Sequence, residues 1–283
     1  MLSNAEMEFI GIQAFSANRG RNITPYIAGT WLACICQGVI WVQIWRWYKH
    51  SAKTDLTIVR AMVGWSFFLT PVYTGFLLAW MMQTYVYHFG QYATFVNYNW
   101  FTQPWLFTVA ARTAVTSYLI HRTWLLTKSI WILVVNILLS ASFTGAILWE
   151  YTNYRVASGI DAYLNTTPGI LWGVLEVASS GFISGAMMWT FFRSRTGWKS
   201  TDQVLTKLSV LVVQTQLPPT LMCIACLALN AANIPNGYSP FITLFLCKPQ
   251  VYIVSLLVFL NSRQKLRKVL NDPTRVIQPV SKL

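Results

Sequence analysis

The chain has 283 residues, of which 55% are apolar and only 10% charged, with a mean hydropathy of +0.45. That balance excludes an ordinary soluble domain, in which about a quarter of the residues are charged, and makes lipid the expected solvent. The net charge of +13 does not point to nucleic acid, because membrane proteins collect Lys and Arg on their cytoplasmic rims.

A spanning helix needs about 20 mostly apolar residues, and seven such segments follow one another along the chain. Residues 1–24 lack the compact apolar stretch of a cleaved signal peptide. Residues 1–25 are therefore expected to form an outer amino-terminal tail, with the first helix as the insertion signal. That helix covers about residues 26 to 47, opens at Pro25 and ends among Trp41, Trp45 and Trp47. The second, about 60 to 84, carries Pro71 in its middle, and the third, about 104 to 126, opens at Pro104. The fourth covers about 129 to 150, and the fifth, about 168 to 191, opens at Pro168 and contains Gly181-x-x-x-Gly185. The sixth, about 205 to 230, is interrupted by Pro218-Pro219, and the seventh, about 240 to 261, opens at Pro240. The connections are short. Residues 26–262 are therefore one seven-helix domain, followed by a basic tail over 263–283, and the fold class is an all-α polytopic membrane protein.

All but five of the 21 Lys and Arg fall in or beside the first, third and fifth connections and the carboxyl tail. Arg19, Arg21 and Arg155 lie on the other side, and Arg112 and Lys248 lie within helices. The positive-inside rule then places the amino terminus outside and the carboxyl terminus in the cytoplasm. Both N-x-S/T sequons, at Asn22 and Asn165, fall on the outer side in this arrangement, which makes them glycosylation candidates and the chain a candidate glycoprotein. Such a multi-pass protein resides in the plasma membrane or an endomembrane, and the lipid bilayer is its first partner.

The punctuation of the helices carries further expectations. A proline in the first turn loses no hydrogen bond, so the opening prolines serve as a common zero for depth. The tryptophans at segment ends, including Trp100, Trp105 and Trp149, read as an interfacial belt. The glycine pair of the fifth helix is expected to pack within the chain. The run Arg263-Gln-Lys-Leu-Arg-Lys-Val-Leu alternates basic and apolar residues and suits the anionic inner leaflet. Cys34, Cys36, Cys223, Cys226 and Cys247 all lie inside helices, and read as packing residues. His88 and His121 lie at opposite membrane faces. No catalytic, metal or cofactor motif is present.

Arg112, Glu176 and Lys248 each lie eight residues past a helix-opening proline (112 − 104, 176 − 168, 248 − 240), about 12 Å below the outer helix ends. Charges at that depth face the bundle interior, where they pair or line a wet cavity. One carboxylate cannot neutralise two cations. The three residues are thus candidates for binding the head group of an amphiphilic ligand, with a purely structural ion pair as the other reading. A Schiff base on Lys248 is disfavoured, since no Asp accompanies it on its helix.

Several runs carry a resemblance: Glu176-Val-Ala-Ser-Ser-Gly-Phe-Ile, Arg193 to Asp202, Leu205 to Thr215, Lys248 with Tyr252, and Leu260-Asn261-Ser262-Arg263, with weaker echoes at Gly29, Gln43, Asp55, Tyr85, Tyr87, Phe89 and Gly90. The chain resembles a family of uncharacterised seven-helix membrane proteins of mushroom-forming fungi that carry a domain of unknown function. That resemblance implies a fold and a fungal setting, and no activity. The topology is also that of rhodopsin-type receptors, yet the outer disulfide cysteines and an Asn-Pro-x-x-Tyr run in the last helix are missing.

Three functions remain open. A receptor-like sensor or binder of a small amphiphilic molecule fits the outward amino terminus and the polar layer. A membrane-embedded cyclase or isomerase of fungal specialised metabolism would use Glu176 as an acid, weakened by the lack of a second buried carboxylate; Glu150 and Asp161, near the outer surface, could assist only if that outer connection folds inward. A small-molecule transporter fits least, since no internal repeat is visible.

Overall fold

The computed structural model describes residues 4–16, 19–52, 55–96, 103–156, 167–193, 199–232 and 240–270. It is all-helical, with no strand among the described residues. In chain order the helices are α1 (Asn4–Phe15), α2 (Arg19–His50), α3 (Thr57–Met82), the short α4 (Ala93–Val96), α5 (Gln103–Thr127), α6 (Ile130–Val156), α7 (Thr167–Arg193), α8 (Lys199–Ala231) and α9 (Phe241–Leu270). A π-helical turn, Gln83–Tyr87, extends α3.

Five of the long helices, α2, α3, α6, α7 and α9, are long and apolar enough to cross a membrane, with mean hydropathies between 1.4 and 2.1 over their best windows. The other two are diluted: α5 carries Arg112, His121 and Arg122, and α8 carries Gln214, Gln216 and two prolines. Their outer faces tell the same story as composition. Trp31, Phe68, Trp131, Leu138 and Trp189 stand exposed on different helices, a distribution of apolar surface that only lipid satisfies around a helical bundle. The protein is a multi-pass helical membrane protein.

The centre of the bundle is α9. Of its most apolar window 67% is buried, against 22–33% in the other four, and it packs on α2, α3, α5 and α8. Around it α2 meets α3, α3 meets α5, and α5, α6, α7 and α8 follow in contact. Gly29 sets the closest approach of α2 to α9, because a Cβ there would lie 3.0 Å from the Thr243 carbonyl and 3.1 Å from Leu246. Thr243 Oγ1 donates to the Pro25 carbonyl (3.0 Å), and Asn261 Nδ2 donates to both the carbonyl and Oε1 of Gln43 (2.9 and 2.8 Å), so the same two helices are tied near both ends. Tyr73 Oη reaches from α3 to the Leu246 carbonyl (2.6 Å), beside the stretch of α9 that Pro249 weakens.

Several expectations need correction. Prolines do open α5 and α7 and precede α9, but α2 begins at Arg19, and Pro25 lies inside it. The preceding turn is held by tertiary contact, since Asn22 is 1% exposed and Ile23 packs with Tyr26, Tyr73 and Trp80. Of the two sequon asparagines, Asn22 is thus buried, and Asn165 lies outside the described residues. The amino-terminal tail is helical at α1. Two of the belt tryptophans are core residues: Trp47 donates from Nε1 to Asp55 Oδ2 (3.0 Å), and Trp105 packs edge-on against Phe245. Trp41, Trp45 and Trp149 are exposed as a belt requires, and Trp100 lies outside the described residues. Gly181 and Gly185 meet nothing within 4 Å, so their face of α7 is open rather than packed within the chain. The helix α9 continues through the basic run to Leu270, and residues 271–283 lie outside the described residues. Beside Pro218, α2, α8 and α9 part to leave a cavity of about 170 Å³.

The contrast between the two kinds of glycine is testable. Gly29→Leu is expected to destabilise the bundle by about 1–3 kcal/mol through overpacking, seen as a lowered melting temperature in detergent. Gly181→Leu, on the open face, leaves that temperature unchanged.

Candidate functional site

The three charges at one depth do come together, and Glu176 is their common partner. It is fully buried on α7, as are Arg112 on α5 and Lys248 on α9, both 1% exposed. Lys248 Nζ donates to Glu176 Oε2 in a direct ion pair. Tyr252, one helical turn beyond Lys248 and on the same face of α9, donates from Oη to Glu176 Oε1 (2.8 Å). Behind it, Cys223 Sγ on α8 meets Tyr252 Oη at 3.2 Å. Each oxygen of the carboxylate thus has its own donor. The Cys223/Cys226 pair serves packing and this contact, and no group of metal-ligating side chains occurs among the described residues.

Arg112 is placed differently. Its Nε stands 3.9 Å from Glu176 Oε1, beyond hydrogen-bond length, and neither Nε nor Nη1 has a hydrogen-bond partner. The guanidinium instead lies over the Phe143 ring of α6, 3.7 Å from its centroid. Lys248 Nζ likewise sits 4.4 Å from the centre of the Trp172 ring of α7. The aromatic faces attract the two cations and screen them from lipid. Phe143 and Trp172 themselves pack edge-on.

Sequence reasoning left Glu150 near the surface, and the structure buries it as a second carboxylate. Glu150 is only 5% exposed, near the carboxyl-terminal end of α6. It lies two helical turns beyond Phe143 and so on the same buried face. Its Oε1 crowds Gly169 of α7 together with Asn230 Nδ2 of α8: a Cβ at Gly169 would fall 3.2 and 2.9 Å from them. The Trp172 indole lies beside this carboxylate without completing a hydrogen bond, and Oε2 has no partner. The spacing from the buried Phe143 is the signal that would have found Glu150. The earlier balance of one carboxylate against two cations must therefore be redrawn. Two carboxylates stand at two levels, Glu176 committed to Lys248 and Tyr252, and Glu150 beside Gly169 and Asn230. The charged side chains here with unpartnered atoms are Arg112, at Nε and Nη1, and Glu150, at Oε2.

A second buried polar contact, also unforeseen, joins α9 to α3: Gln250 Nε2 donates to Thr74 Oγ1 (2.7 Å), which donates in turn to the Thr70 carbonyl. His88 and His121 are not brought together; His88 contacts Gln83 beyond the end of α3, and His121 faces Trp124 on α5.

Removing one partner of a buried ion pair costs about 3–5 kcal/mol, so Lys248→Met is expected to lower stability strongly. Glu176→Gln should be the more damaging of the two, because it strands both Lys248 and Arg112. Thermal unfolding of the purified protein in detergent reads that order; equal or negligible losses would mean that Glu176 is not the common counter-charge.

Residues 176–265 match the model of a family of unknown function, DUF6534. The match begins at Glu176 and takes in Cys223, Lys248 and Tyr252, while Arg112 and Glu150 precede it. No curated protein and no solved structure matches the chain. The chain is thus a multi-pass helical membrane protein with a DUF6534 domain of unknown function in its last third.

Proposed function

We propose that the protein is a receptor-like binder of a small amphiphilic molecule, built on seven membrane-spanning helices with the amino terminus outside and the carboxyl terminus cytoplasmic. The ligand's anionic or electron-rich head group enters the outer half of the bundle. The observation that carries this reading is Arg112: a guanidinium 1% exposed whose Nε and Nη1 donate to nothing. Buried charged donors left unmade are costly, so a group that completes them gains strongly on entering. Glu176 does not complete them, since its Oε1 stands 3.9 Å from Arg112 Nε, beyond hydrogen-bond length. A carboxylate or phosphate would, with the apolar remainder of the molecule among Phe143, Trp172 and their neighbours.

Glu150 favours a second reading, a membrane-embedded enzyme such as a cyclase or isomerase. Its burial removes the objection that only one carboxylate is available, and two carboxylates in different surroundings suit acid–base chemistry. The two readings part on turnover: a sensor returns its ligand unchanged.

The test is purification of the full chain in mild detergent from its native host, with co-purifying molecules identified by mass spectrometry. The wild type is expected to retain a defined amphiphile, and Arg112→Met, which leaves the Lys248–Glu176 pair in place, to retain about tenfold less, as the loss of a charge-assisted hydrogen bond implies. Bulk lipid alone in both samples would reduce the cluster to a structural ion pair.

A further inference from the structure

The π-helical turn at the end of α3 departs from a pattern that several buried threonines share. Thr30, Thr70, Thr74, Thr108 and Thr123 each donate their hydroxyl to the carbonyl four residues back, the usual way to satisfy a hydroxyl inside a helix. Thr84 does not. It is 2% exposed, and its Oγ1 has no partner. The carbonyl four residues before it, that of Trp80, already receives the Gln83 N–H. The next residue, Tyr85, has a hydroxyl that is also without a partner. Single π-turns inside helices concentrate at functional sites, where they redirect side chains.

Both side chains line the same cavity, about 300 Å³ in volume, between the first turns of α2 and the segment that follows the π-turn. Ile23 and Ile27 form one wall, and Phe89, Tyr92 and Phe95 the other. No Asp, Glu, Lys or Arg is among the lining residues. Tyr85 and Phe95 meet edge to face at 5.9 Å. The second wall is braced from outside the cavity by α1. The Glu8 carboxylate accepts from the backbone N–H of Tyr92 (3.0 Å) and of Ala93 (2.7 Å), and Gly11 packs so closely on Tyr92 that a Cβ would lie 2.6 Å from the tyrosine Cβ. Gly90, at φ 85°, turns the chain into this wall in a conformation that a side chain would strain.

We propose that this outer cavity is a second binding site, separate from the Arg112 cluster, for a small neutral lipophilic alcohol or ketone. Its oxygen bonds to Thr84 Oγ1 and Tyr85 Oη, and its apolar body lies against Phe89, Tyr92 and Phe95. Two hydroxyls without a formal charge suit an oxygen that accepts or exchanges hydrogen bonds, and nothing in the lining compensates an ion. The aromatic walls and the bracing by α1 make the site preformed.

The probe is 2-naphthol, titrated by its fluorescence against the full chain, with naphthalene as the same ring system without the hydroxyl and 2-naphthoate as its charged counterpart. Saturable binding of naphthol is expected, about tenfold weaker binding of naphthalene, and none of naphthoate. Thr84→Val, which keeps the shape, and Tyr85→Phe should each weaken naphthol about five- to tenfold and leave naphthalene unchanged. Arg112→Met should leave naphthol binding intact, so this site and the deeper one stand or fall separately. Competition by a long-chain alcohol doped into phosphatidylcholine discs would assign the natural ligand to the bilayer, and undiminished binding would assign it to the water phase. Equal affinity of naphthol for the wild type and the folded variants, or uptake that never saturates, overturns the proposal; should Thr84→Val not fold, as judged by circular dichroism, Tyr85→Phe alone decides it.

Discussion

A carboxylate placed in hydrocarbon must be neutralised where it stands, and the burial of Glu176 imposes that condition on four helices at once. Lys248 and Tyr252 of α9 take its two oxygens, Cys223 of α8 backs Tyr252, and Arg112 of α5 lies just beyond bonding range. None of these side chains can swing out to water without stranding another, because an uncompensated ion there costs several kcal/mol. The cluster therefore fixes the rotation of α7, α8 and α9 about their axes. The aromatic faces of Phe143 and Trp172 complete the enclosure on the side where no counter-ion is available.

The position of α9 follows from the same condition. A helix that carries Lys248, Gln250, Tyr252 and Asn261 cannot present those faces to lipid, and it is accordingly the most buried of the spans. Its neighbours meet it with polar groups at matched heights: Thr243 with Pro25, Gln250 with Thr74, Asn261 with Gln43. Hydrophobicity cannot select among helices when the solvent is as apolar as the core, so these hydrogen bonds and the close approach at Gly29 supply the register.

The two unsatisfied regions differ in kind. Around Arg112 and Glu150 the open groups are charged and lie deep among α5, α6 and α7; around Thr84 and Tyr85 they are neutral hydroxyls in an aromatic cavity nearer the amino-terminal helix. Physical chemistry assigns them different occupants, an ion or its mimic to the first and an uncharged oxygen to the second.

Composition and apolar run length by themselves determined that the chain lives in a membrane, roughly where its helices lie, and, through the opening prolines, that Arg112, Glu176 and Lys248 share one depth. These are properties of the chain taken one segment at a time, since helix rise and lipid thickness fix them locally. Which residue pairs with which is decided between helices. Glu150 reads as a carboxylate near the outer surface until α7 and α8 cover it, and Trp47 and Trp105 as belt residues until Asp55 and Phe245 claim them. The cavity at Thr84 depends on a π-turn, on α1 and on the chain beyond Tyr87 meeting in space. Periodicity gives the face of a helix, while only tertiary packing says what that face meets.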